Sequence, residues 1–158
     1  MRRGVRRIDP GWDQFTVNIP VRFNEVDSMK VVWHGHYVAF CETAREAWLD
    51  ARGLSYKAMD DSGCPAPVVR MSLEYLRPAY GGDILAVNCA QVPGNEPKLE
   101  CCYEILNQRS EVLCIAESVQ VFVDQTGQVL LSAPPPVERL FAAIAAARQL
   151  RTAHGPAG

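Results

Sequence analysis

From Phe15 to Phe23 every odd position is apolar (Phe15, Val17, Ile19, Val21, Phe23), while Thr16, Asn18 and Arg22 fall between them. Alternation sends successive side chains to opposite faces, so this stretch predicts a half-buried β-strand, with Pro20 marking an edge or a bulge. The period then changes. Tyr37, Phe40, Cys41, Ala44, Ala47, Trp48 and Ala51 recur at steps of three and four, with Glu42, Arg45, Glu46 and Asp50 between them, which predicts an amphipathic helix over 37–52. Gly53 stands where a left-handed residue would close it. The stripe of Tyr37, Phe40 and Trp48 needs a broad apolar surface over it, and a curved sheet supplies one.

After a linker containing Gly63, Pro65 and Pro67, strand patterns follow over 68–76, 84–92, 99–107 and 112–123, with turns at 78–82, Gly94-Asn95 and Asp124-Gln125-Thr126-Gly127. Pro134-Pro135-Pro136 precedes a last helix over 137–151, striped by Leu140, Phe141, Ile144 and Ala145. Strand, long helix, four consecutive antiparallel-type strands and a C-terminal helix make an α+β layer pair. The boundaries expected are a flexible tail over 1–14, one domain over 15–151 and a second flexible tail over 152–158.

A chain of 158 residues can bury roughly two-thirds of its unfolded surface, enough for one core. The net charge of -2 disfavours nucleic acid and anionic membrane as partners, so an anionic ligand must be held by local charge. Met1-Arg2-Arg3-Gly4-Val5-Arg6-Arg7 leads into the polar Ile8-Asp9-Pro10-Gly11, not into the apolar core of a signal peptide, and no stretch approaches the ~20 apolar residues of a membrane span. Cysteines at 41, 64, 89, 101, 102 and 114 form no Cys-x-x-Cys pair. They read as reduced core residues, with a cytoplasmic location following.

The chemistry concentrates between the first strand and the long helix, in Glu25, Asp27, Lys30, His34 and His36. A loop feeding a helix N-terminus can aim a carboxylate at a carbonyl while free amides receive the oxyanion. Equally, Asp27 or Ser28 can simply cap a turn. The run Glu25-x-Asp27-Ser28-Met29-x-Val31-Val32-Trp33-His34-Gly35-His36-Tyr37 resembles the signature of 4-hydroxybenzoyl-CoA thioesterase-like hotdog proteins, in particular their acyl-CoA thioesterase branch of the tol-pal cluster type. The likeness continues through Phe40-x-Glu42-x-Ala44-Arg45-x-x-Trp48-Leu49 and Pro67-Val68-Val69-Arg70-x-x-x-Glu74-Tyr75-x-x-Pro78-Ala79, and covers roughly residues 15–145.

That resemblance implies a hotdog fold, a long central helix wrapped by a five-stranded antiparallel sheet, in a homodimer or homotetramer whose sheets pair edge to edge. It implies hydrolysis of an acyl-CoA or acyl-carrier-protein thioester, with no metal and no cofactor, CoA being part of the substrate. Asp27 takes the place of the catalytic carboxylate, as nucleophile or general base, and His34 that of the residue orienting water or substrate, its backbone N–H donating to the oxyanion. Glu25, Val32, Trp33, His36 and Tyr37 are candidate substrate contacts, and Arg70 and Arg77 candidate phosphate contacts. Met29 and Lys30 stand where the family often has glycine, and Phe23 where some members carry tyrosine. No Gly-x-Ser-x-Gly elbow supports a serine hydrolase. The other readings are a non-catalytic acyl-thioester binder and a 3-hydroxyacyl-thioester dehydratase, which the same fold hosts.

Overall fold

In the computed structural model, which describes residues 4–63 and 65–155, the alternating segments become one antiparallel sheet. Its strands are β1 (Gln14–Pro20), β2 (Val68–Tyr75), β3 (Ile84–Gln91), β4 (Lys98–Leu106) and β5 (Val112–Val121), in the order β1-β3-β4-β5-β2. Pro20 indeed lies on an edge strand, where its missing N–H costs no ladder bond. Register sets the two faces: Val17 opposes Val87, Val87 opposes Ile105, Cys89 opposes Tyr103 and Tyr103 opposes Ala116, all on one side.

Helix α1 (His36–Asp50) lies on that side and buries Tyr37, Phe40, Cys41, Ala44, Trp48 and Leu49 against it. Each large apolar side chain so enclosed contributes roughly 1.5–3 kcal/mol relative to exposure. Trp48 anchors the helix to the start of β1 through Nε1–H donating to Asp13 Oδ2 at 2.9 Å. The helix closes as Gly53 predicts: at φ +71° it lets the Gly53 and Leu54 N–H groups turn back to the carbonyls of Asp50 and Leu49.

Several boundaries differ from the sequence expectation. The first strand stops at Pro20 because a 3-10 turn over Phe23–Glu25 follows, and Phe23 is 98% exposed despite its apolar phase. The linker after α1 contains a short helix, α2 (Tyr56–Asp61), started by Ser55, whose Oγ accepts from the Ala58 N–H at 3.1 Å. Helix α3 (Pro135–Ala153) is longer than its apolar stripe, since Pro135 suits a first helical turn and the polar end continues past the packed region.

Residues 5–8, part of the segment expected to be a flexible tail, cross the outer face of the sheet. Val5, Arg6 and Ile8 donate backbone N–H bonds to Glu74, Glu117 and Glu104, while the guanidiniums of Arg6 and Arg7 pair with Glu100, Glu117 and Glu104. Four glutamates on the face away from α1 thus anchor a strap that composition alone made look free. Residues 1–3, 156–158 and Cys64 lie outside the described residues. Cys41, Cys89, Cys101, Cys102 and Cys114 are buried free thiols. Among the described residues no helix is long and apolar enough to cross a membrane.

Candidate active site

Between β1 and α1 the chain folds into a tight hairpin. The Asp27 N–H donates to Val31 O at 2.9 Å, the Lys30 N–H to Asp27 O at 2.9 Å and the Trp33 N–H to Glu25 O at 3.0 Å. Lys30 takes φ 64°, a left-handed position that glycine fills at lower cost. Asp27 helps to hold the turn, its Oδ1 accepting from the Met29 N–H at 2.8 Å. Turn-capping is therefore one of its roles, and its second carboxylate oxygen has no protein donor among the described residues.

The hairpin register puts Val26 and Val32 on one face and Glu25, Asp27, Val31 and Trp33 on the other. Val32 is buried and its N–H donates to Ala79 O, which ties the hairpin to the loop after β2. Asp27 thereby shares the outward face with the Trp33 indole, at the entrance of α1. The helix starts at His36, and among the described residues the N–H groups of His34 and Gly35 donate to no protein acceptor. Free amides at a helix start and a half-free carboxylate on the same short connection are the parts that acyl transfer requires.

Aromatic rings line this entrance. The Trp33 indole lies 5.0 Å from the His34 ring and 5.5 Å from the His36 ring, centroid to centroid. It also occupies the space where Gly35 lacks a Cβ, so a larger residue there would overlap the indole. Tyr37 is buried beneath, its hydroxyl accepting from the Ala79 N–H at 3.2 Å, and burial pushes its phenol pKa up.

The remaining candidates separate. Glu25 uses Oε1 to accept the Arg22 N–H at 2.6 Å, closing the 3-10 turn. Arg70 sits opposite Val119 on the outer face of the sheet, the face away from α1, 3.9 Å from Glu100. Arg77 follows β2 and reaches Val112 O at 3.4 Å. Sequence reasoning passed over Tyr75, whose hydroxyl donates to His34 O at 2.8 Å; its apolar-strand setting concealed a contact 41 positions away.

In the single chain the site is open. A cavity of about 1030 Å³ lies between residues 9–12 and the end of α3, and neither Asp27 nor His34 lines it. Around the site, Trp33, Val38, Tyr75, Leu76, Tyr80 and Ile84 are exposed apolar side chains. No group of three His, Cys, Asp or Glu among the described residues is arranged to hold a metal.

The sequence pattern of the thioesterase-like superfamily matches residues 21–144. The chain is 32% identical over 107 residues to the acyl-CoA thioester hydrolase YbgC of Escherichia coli, covering 66% of this chain and 80% of that protein. It is 30% identical over 122 residues to a 1,4-dihydroxy-2-naphthoyl-CoA hydrolase of Synechocystis, covering 76% and 83%. In structure it is similar to a DHNA-CoA thioesterase from Staphylococcus aureus, with a TM-score of 0.79 at 21% identity over 86% of this chain and 93% of that one, a likeness of fold.

Proposed function

This chain belongs to the thioesterase-like superfamily, and from that premise we propose that it hydrolyses an acyl-CoA thioester to the free acid and thiol, with Asp27 as the essential carboxylate. The observation that carries the reading is the hairpin itself. The Asp27 N–H bond to Val31 O and the Trp33 N–H bond to Glu25 O tie Asp27 to the short connection that enters α1, which supports a substrate carbonyl held by the His34 and Gly35 amides within reach of the carboxylate.

Two routes use the same atoms. Asp27 attacks the carbonyl, expels the thiolate and leaves a mixed anhydride that water opens, or it takes a proton from the water that attacks. In both, the carbonyl oxygen gains negative charge, which the free amides and the N-terminal end of α1 stabilise, and the thiolate takes up a proton on leaving. To the His34 ring, which packs beside Trp33 at the helix entrance, falls the orientation of water or substrate.

The exposed apolar rim and the free edge of β2 support a second copy as the missing wall, since a sheet edge and an open hydrophobic surface are both covered by homodimer formation.

Thiol release measured across aliphatic and aromatic acyl-CoAs tests the activity. Asp27→Asn is expected to keep the fold and lower kcat at least ~100-fold. Wild-type turnover in that variant refutes the role of Asp27, and tight binding of acyl-CoAs without turnover by the unmodified chain favours a binder.

A further inference from the structure

The peptide joining His34 to Gly35 is held from one side only. Tyr75, the last residue of β2, donates its hydroxyl to His34 O at 2.8 Å, and among the described residues no other group bonds to that oxygen. The peptide is trans, so its carbonyl and its N–H point in opposite directions, and whatever fixes the His34 carbonyl also fixes the Gly35 N–H. We propose that Tyr75 is a positioning residue of the thioester site, aiming the Gly35 amide at the developing oxyanion by gripping the carbonyl on the far side of the same peptide. This rests on the thioesterase reading above.

The tyrosine is itself well placed for the task. The ladder between β2 and β5 sets it opposite Cys114, and its ring meets the edge of Tyr37 at 5.1 Å and 87° and that of His34 at 6.4 Å and 84°. Tyr37 is buried and bonded to the Ala79 N–H, so the brace is fixed in turn. The partial burial of Tyr75 against Tyr37 raises its phenol pKa, which keeps the hydroxyl a donor through the neutral range. A carbonyl that accepts a hydrogen bond also polarises its amide and strengthens the N–H as a donor. Tyr75 therefore sets both the direction and the strength of the oxyanion contact without touching the substrate carbonyl.

Tyr75→Phe keeps the ring and removes only the grip. The expected result is a fall in kcat of about tenfold with KM within about twofold, less than the ~100- to 1,000-fold that follows deletion of a direct oxyanion donor. The Gly35 amide resonances shift in the same variant. An unchanged kcat, a rise in KM alone, or unmoved Gly35 resonances overturns the assignment. For a variant that fails to fold, isotope-edited infrared spectroscopy of the unmodified chain supplies the test: the His34 carbonyl absorbs as a hydrogen-bonded amide, and a free-carbonyl band overturns the assignment. Thiol release that Asp27→Asn abolishes but Tyr75→Phe leaves intact removes only the role of Tyr75. Absence of thiol release by the unmodified chain removes the thioesterase reading itself.

Discussion

One absent methyl group shapes the entrance of α1. Gly35 has an ordinary helical φ of -69°, so its backbone does not require glycine; the indole of Trp33 does, because it fills the space of a Cβ. Gly35→Ala is therefore expected to displace the indole, alter Trp33 fluorescence and lower kcat about tenfold, with little loss of thermal stability. Native emission with full turnover would mean that the ring finds an equivalent seat. At this scale the sequence was informative where chemistry is local: Asp27, His34 and the helix entrance fall on one short connection. It was silent on Tyr75, because a side chain that acts through a carbonyl far along the chain leaves no periodic trace.

Within α1 the polar phase of the helical pattern conceals an exception. Arg45 reads as a surface position, yet it is 2% exposed and lies under the helix. Its Nε donates to Tyr56 Oη at 2.5 Å, one Nη to Tyr103 Oη at 3.1 Å, and the other pairs with Glu42. Burial alone would lower its pKa, but the Tyr103 and Tyr56 oxygens and Glu42 outweigh it, and the guanidinium stays charged. Arg45→Met is expected to cost about 2 kcal/mol in denaturant unfolding, since it takes a charged donor from the Tyr56 and buried Tyr103 hydroxyls, whereas the half-exposed Glu42 carboxylate regains water. Stability equal to wild type would show the network to be dispensable. Periodicity identified the five strands and both long helices because each buries one face. It missed α2, whose capping serine is a weak signal, and Arg45, whose partners come from α2 and β4.

For the whole molecule, the strap over residues 5–8 makes stability depend on carboxylate charge. Burial tends to raise the Glu100 pKa, but hydrogen bonds from Arg6 and Lys98 prevail and hold it below its ordinary 4.5. A depressed folded-state pKa contributes stability that is complete above the ordinary value and lost as pH falls through the folded one. Melting temperature is accordingly expected to drop as pH decreases below about 4.5, and to drop less steeply in Arg6→Ala, with the two curves converging in acid. Parallel curves would separate Arg6 from this effect. The open site and the free β2 edge lead to the expectation of a dimer or larger assembly in light scattering at micromolar concentration, and a monomer there would contradict a shared site.

Among the described residues five buried thiols are distributed over the architecture: Cys41 in α1, Cys89 in β3, Cys101 and Cys102 in β4, and Cys114 in β5. Burial raises the pKa of Cys102 and of Cys114 to about 12, so both stay protonated and unreactive while enclosed. Brief alkylation followed by peptide mass mapping can thus follow the opening of each layer in the native sequence, a ready-made kinetic probe that needs no engineered label.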